Sequence, residues 1–317
     1  MTIKIVKSNE SIPVTNISML IYGESGVGKT TLAFTSNKAL ILDFDNGVKH
    51  IAMRNGNDII QIKKWQDVED LTLDVLAPYD TIIVDTIGKM SDTLKPYVLN
   101  KFPTYGKNGT PNQKGWGELK QQITSWKNML MKSGKDIIIL AHVVEEKDGD
   151  NIKKRFKMEG STKDDIRADV DMIGYMCTDG DKRIIDFNPT DFKIGKNRGK
   201  IPSQEVKEDH KTFLADLLEF TKSSMNAKSE EMVQAEFKFD EALNLICLAE
   251  IADDFNKLLT HKLIAGKAGN KILKTKLIDE AKVNGLAYHV ESKCFSPIVS
   301  IPESVAPPAN ETPEVAV

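Results

Sequence analysis

The apolar run "ISMLIY", Ile17 to Tyr22, stops at a glycine and leads into "GESGVGKTTLAF". The run reads as a buried strand, and Lys29 to Lys38, which lacks Gly and Pro, reads as a helix. Between them Gly23-x-x-x-x-Gly28-Lys29-Thr30 fits G-x-x-x-x-G-K-[ST]. Few folds can present such a loop. Gly23, Gly26 and Gly28 let the backbone wrap tightly, so that its N–H groups converge on an anion. The start of the following helix adds positive potential. The cradle expected for a nucleotide's phosphates is Gly23, Glu24, Ser25, Gly26, Val27, Gly28, Lys29, Thr30 and Thr31. In it Lys29 is a point charge for the β- and γ-phosphates, and the Thr30 hydroxyl is a ligand for Mg²⁺.

The rest of the first 150 residues repeats one rhythm. "ALILDFD" (Ala39–Asp45), "TIIVD" (Thr81–Asp85) and "DIIILAH" (Asp136–His142) read as buried strands. Apolar residues at Val68, Leu71 and Val75 predict a helix over Trp65–Ala77, and Trp116, Leu119, Ile123, Trp126 and Leu130 line one face of a longer one. Apolar strands alternating with amphipathic helices predict an α/β fold, a mostly parallel sheet flanked by helices. After Val170 short strands are predicted at Met172–Thr178, Arg183–Asn188 and Asp191–Gly195, with Asp179-Gly180 as a hairpin turn. A helix over Lys211–Thr221 closes the core, assigned to residues 1–221. Residues 222–231 read as a polar linker, 232–290 as a small helical appendage and 291–317 as a disordered Pro-rich acidic tail.

Composition narrows the class. A net charge of −3 makes any nucleic-acid surface a local patch. Cys177, Cys247 and Cys294 are widely spaced, which argues against a disulfide framework or zinc site and for a reducing compartment. "MTIKIVKSNE" has no apolar h-region, and no apolar stretch is long enough to span a bilayer, so a cytoplasmic protein is expected.

Asp85 ends its strand at the carboxyl edge of the sheet, where ligands bind in open α/β folds, and is placed to hold Mg²⁺ through water. Thr86 follows it, where an AAA+ ATPase usually carries its Glu base. Asp43 and Asp45 share one face of the second strand, and either could orient an attacking water or serve an Asx-turn or helix cap.

Together these motifs resemble the RecA-like P-loop ATPases, over about residues 17–220. The resemblance implies that Asp45 of "ILDFDNG" is the general base, where the family usually has Glu. It implies that "TIIVDTIGKM" is the Walker B strand and that His142, ending "IIILAH", senses the γ-phosphate. It implies that Lys196 and Arg198 of "FKIGKNRGKIP" reach the nucleotide of a neighbouring subunit in a ring or filament. More narrowly the chain is similar to phage-encoded RecA-core proteins of single-strand annealing recombination, which places it in a host cytoplasm. With Asp45 in place of Glu, ATP hydrolysis is expected to be slow and stimulated by DNA or oligomerisation, and the C-terminal region, which the resemblance does not cover, is a candidate contact for single-strand-binding or replication proteins.

Two basic, aromatic segments lie where RecA-like proteins contact DNA. Lys101–Gly117 carries Lys101, Lys107 and Lys114 among Phe102, Tyr105 and Trp116. The loop after His142 carries Lys153, Lys154, Arg155, Phe156 and Lys157. Two readings stay open: an Mg-ATP-dependent ATPase acting on single-stranded DNA, and a nucleotide switch for protein partners. A small-molecule kinase lacks an Arg-rich lid, and a GTPase lacks Asn-Lys-x-Asp.

Overall fold

A computed structural model describes residues 5–7, 10–51, 54–149, 151–265 and 270–298. The chain divides into two compact units, Ile12–Ser229 and a second made of Met1–Ser11 with Glu230–Val317.

The first unit is built on β1 (Ser18–Gly23), α1 (Lys29–Ala33), β2 (Ala39–Asp43), β3 (Asp58–Gln61), α2 (Trp65–Glu69), α3 (Leu73–Leu76), β4 (Thr81–Asp85) and α4 (Ile87–Lys101). A two-stranded ribbon, β5 (Gly106–Lys107) and β6 (Thr110–Pro111), precedes α5 (Gln113–Lys132). Then come β7 (Asp136–Asp148), β8 (Asn151–Phe156), α6 (Thr162–Asp169), β9 (Met172–Asp179), β10 (Lys182–Asp186), β11 (Lys196–Asn197), β12 (Gln204–Glu205) and the start of α7 (Phe213–Cys247).

The main sheet runs β12-β10-β9-β1-β7-β4-β2-β3, with β11 on β9 and β8 on β7. The strands from β9 to β3 are mutually parallel, and β10, β11, β12 and β8 pair antiparallel. Strand periodicity divides the core. Leu20, Tyr22, Leu40, Leu42, Ile82, Val84, Ile137 and Ile139 face α2, α4 and α5. Met19, Ile21, Ala39, Ile41, Ile83, Ile138 and Leu140 face α1 and the start of α7. Asp43 and Asp85 continue the second set, so both carboxylates lie on the α1 side of the sheet.

Several elements depart from the sequence reading. The helix expected over Trp65–Ala77 splits into α2 and α3, because the Thr72 hydroxyl accepts from Val75 N and starts a new helix. Asp191–Gly195 is not a strand; β11 starts directly after it, at Lys196. The loop expected after His142 is a hairpin. β7 continues to Asp148, turns at Gly149 (φ 65°) and pairs with β8, setting Glu145 opposite Lys154 and Glu146 opposite Lys153. The expected linker is helical: residues 222–231 lie inside α7. That stretch has no Gly or Pro, and six of its ten residues are Lys, Glu, Ala or Met, all good helix formers. Its first residues also dock on the P-loop unit, where Ser224 Oγ donates to Gly199 O and Asn226 bonds both backbone groups of Val14.

The second unit contains the end of α7, α8 (Ala252–Thr260), α9 (Lys262–Ala265), α10 (Asn270–Val283) and a hairpin of β13 (Leu286–His289) with β14 (Cys294–Pro297). Its core holds Ile246, Phe255, Ile264, Leu273, Leu277 and Phe295. The expected tail therefore begins as an ordered strand, and residues 299–317 lie outside the described residues. Among the described residues no helix is long and apolar enough to cross a membrane.

Candidate nucleotide site

β1 delivers the loop to the carboxyl edge of the sheet. Gly23 is flanked by His142 of β7 on one side and Met176 of β9 on the other. A Cβ there would lie 2.2 Å from Met176 O, so the close strand packing demands glycine. Gly26 and Gly28 take φ of 80° and 100°. Glu24, Ser25 and Gly26 form an exposed crest, Val27 anchors it in the core, and Thr31 is exposed on α1. α1 is only five residues long, shorter than the sequence suggests. The positive potential here therefore comes from the loop's amides and Lys29 more than from a helix.

Lys29 is buried, and its Nζ donates to Gly23 O at 2.9 Å and Glu24 O at 2.7 Å. Burial pulls its pKa down, while Asp85, Glu24 and Asp45 pull it up. Thr30 Oγ1 donates to Asp85 Oδ2 at 2.7 Å. Burial pushes Asp85 up to about 6, with Asp45 and Asp43 adding repulsion against the Thr30 hydrogen bond. Buried Asp43 makes no well-formed hydrogen bond on either oxygen, although the backbone N–H groups of Asn46, Gly47 and Val48 turn toward it, and burial raises its pKa against their pull. Thr86 Oγ1 is buried and unpartnered too. Buried oxygens left this way are costly. A hydroxyl on a carboxylate, two further carboxylates and an ammonium are a donor set that fits a hydrated magnesium ion and a polyphosphate.

Asp45 lies just past β2. Its Oδ1 accepts from Gly47 N at 3.0 Å, the Asx-turn that the sequence allows. Its Oδ2 lies 3.6 Å from His142 Nε2, and this imidazole holds Asp45 below the usual carboxylate range. Asp45, His142, Asp85 and Lys29 thus belong to one neighbourhood, because β7 is inserted between β1 and β4.

Other candidates are elsewhere. Lys196 lies opposite Ile173 and Asn197 opposite Met172, near the amino end of β9 and away from the loop. Lys196 Nζ donates to Ala168 O at 2.7 Å and Val170 O at 2.5 Å, closing the end of α6. Arg198 pairs with Asp171 at 2.9 Å. Neither reaches the phosphate loop of its own chain.

The β8 cations are also engaged. Lys154 Nζ donates to Tyr175 Oη at 3.1 Å, Arg155 Nε lies 3.3 Å from Glu146, and Phe156 is a core residue. Phe156 is therefore not a stacking platform for bases; the strand alternation that exposes its neighbours turns it inward. Lys153 is half-buried and Lys157 exposed. Lys101, Lys107 and Lys114 are exposed. Lys101 Nζ sits 5.1 Å from the Tyr97 ring centroid, beside a stacked Phe102–Tyr105 pair with centroids 4.7 Å apart. Trp116, on α5, packs partly against the core.

The sequence reading missed Lys89, on α4, whose charge reaches Asp45, and Arg183, on β10. Nothing about Arg183's neighbours in sequence marks it; its position depends on how far the β9–β10 hairpin extends past β1.

A family model described as an AAA domain matches residues 15–199. Over 137 residues the chain is 28% identical to an SPbeta prophage-derived uncharacterized protein, YorG, of Bacillus subtilis (strain 168). That stretch covers 41% of this chain and 42% of the relative, so the chain spans under half of the protein it matches. The family match takes in more than half of the chain, and the chain belongs to the AAA domain family, with a nucleotide-binding ATPase core.

Proposed function

We propose that this AAA-domain protein binds ATP with Mg²⁺ at the carboxyl edge of its sheet, hydrolyses it slowly, and couples the nucleotide state to single-stranded DNA in phage recombination, annealing or replication. The observation that carries the reading is the convergence of Lys29, Thr30 and Asp85, with Asp45 and His142 alongside. Thr30 and Asp85 would hold magnesium, which supplies positive charge to the phosphates undergoing transfer. Lys29 exchanges its carbonyl partners for phosphate oxygens. Because Thr86 replaces the usual acid, the water is oriented by Asp45. A carboxylate held low is a weak base, so Asp45 positions the water and His142 reports on the γ-phosphate.

The DNA element in this proposal is the Lys101–Lys114 region. α4 begins two residues after Asp85 and ends at Lys101, so its 15 residues place the basic ribbon about 22 Å along a rigid rod from the metal carboxylate. Assembly as a ring or filament would bring the Lys196–Arg198 edge of one copy toward the phosphate loop of the next. The engaged β8 cations favour the second reading, a nucleotide switch for protein partners.

ATP turnover with and without single-stranded oligonucleotide tests both. The DNA reading expects stimulation that is lost in Lys29→Ala and in a Lys101/Lys107/Lys114 triple alanine variant. Turnover unaffected by DNA, with no salt-sensitive binding by anisotropy, leaves the switch reading.

A further inference from the structure

The β9–β10 hairpin overhangs the phosphate loop. β9 is level with the end of β1 at Met176, opposite Gly23, and continues through Cys177 and Thr178 to Asp179. β10 returns alongside, placing Arg183 opposite Thr178, two residues beyond the end of β1. From there the Arg183 side chain lies on the loop itself. A Cβ built on Gly28 would be 3.5 Å from each of Cδ, Nε and Cζ of Arg183. Gly28 immediately precedes Lys29, and its φ of 100° excludes most side chains. The guanidinium is held on its far side by Glu208, Nη2 to Oε1 at 2.9 Å. The Glu208 carboxylate is 79% exposed and the arginine 32%, so the pair is a weak tether rather than a buried lock.

The side of the loop on which Arg183 lies matters. Asp85, Asp45 and His142 are all on the β7–β4–β2 flank of β1, and Arg183 is on the opposite flank. If the reactive phosphate lies among the carboxylates, the arginine faces the part of the nucleotide nearer the ribose.

We propose that Arg183 is a nucleotide-binding residue supplied in cis by the β9–β10 overhang, contacting the phosphates shared by ADP and ATP, and that Glu208 competes for its guanidinium. This rests on the nucleotide-site reading above. Arg183 acts on affinity, not on the chemical step, because it is remote from the groups that orient water. A guanidinium can take two phosphate oxygens at once, which a lysine cannot.

The test is equilibrium binding of fluorescent ADP and ATP to the full chain with Mg²⁺. Arg183→Ala should weaken both nucleotides by about tenfold and by the same factor. Arg183→Lys should recover only part of the loss, and Glu208→Gln should tighten both nucleotides by about two- to threefold. Unchanged affinity in Arg183→Ala, or a loss confined to ATP and accompanied by a fall in kcat, overturns the proposal. Lys29→Ala is the parallel control. If it abolishes binding while Arg183→Ala does nothing, only the arginine assignment fails; if it leaves binding intact, the nucleotide site itself is misplaced.

Discussion

The two ends of the central sheet handle charge in opposite ways. At the amino end every prominent carboxylate is satisfied. Asp136 accepts from Ile17 N at 2.7 Å and from Lys222 Nζ at 2.8 Å. Asp171 takes the backbone N–H and hydroxyl of Ser18 and the guanidinium of Arg198. At the carboxyl end Asp43 has only the nearby amides of Asn46, Gly47 and Val48 without a well-formed hydrogen bond, Asp85 has one hydroxyl, and Asp45 has the Gly47 amide and stands off from His142 by 3.6 Å. Both ends look alike in sequence, as acidic residues flanking apolar strands. The amino end is finished structure, while the carboxyl end carries polar groups with bonding capacity to spare for a ligand.

The largest effect expected at the finished end follows from removing Asp136. Asp136→Ala orphans the Ile17 amide and takes from Lys222 its buried partner, and should cost about 3 kcal/mol of stability. Trp65, Trp116 and Trp126, the three tryptophans of the chain, all lie in the Ile12–Ser229 unit, so denaturation followed by their fluorescence reports that unit. Nucleotide affinity of the folded fraction should not change. A loss of affinity with stability intact would break the contrast between the two ends.

Arg198→Ala should have the smallest effect. Its ion pair with Asp171 is half-exposed on the arginine side and is worth about 0.5 kcal/mol. If Arg198 serves only its own chain, turnover stays at the wild-type value. If it reaches a neighbouring copy's nucleotide, turnover falls at protein concentrations that permit assembly, although stability barely moves. The second result would sharpen the comparison by making the amino end functional in trans.

The strands β1, β2, β4 and β7 were legible because each is a nearly continuous apolar run, and the phosphate loop because its chemistry is local; the half-exposed edge strand β3 and the helix α4 were not read from the sequence. Asp45 and His142 were named through the family resemblance, and one sheet edge gathers them because β7 lies between β1 and β4. Sequence failed where the answer depended on partners distant in the chain. Residues 222–231 looked like a linker because they are polar, yet their helix propensity and docking on Val14 and Gly199 decide the outcome. Phe156 looked like a base-stacking ring until the β7–β8 pairing fixed which face it occupies. The contacts that Lys196 and Arg198 make within their own chain, beside the end of α6 and Asp171, follow from the register of β11 on β9, which no local pattern reveals. Arg183 depends on a hairpin overhang that no local pattern encodes.

Asp85 tests the central contrast most directly. Its pKa is raised from 3.8 to about 6, so the native state holds a proton that the unfolded chain has already lost. The contribution of Asp85 to stability therefore falls as pH rises from about 4 to about 6, by roughly 3 kcal/mol at 1.36 kcal/mol per unit, and this cost persists at neutral pH. Asp85→Asn removes that charge while keeping an acceptor for Thr30. The decisive measurement is tryptophan-monitored unfolding of wild type and Asp85→Asn at pH 7.5, alone and with Mg-ATP. Alone, the variant should be the more stable protein; with Mg-ATP at a hundredfold over its Kd, wild type should gain about 2.7 kcal/mol and the variant little. A variant less stable than wild type that still gains fully from Mg-ATP would show that Asp85 is ordinary structure and that the ligand sits elsewhere.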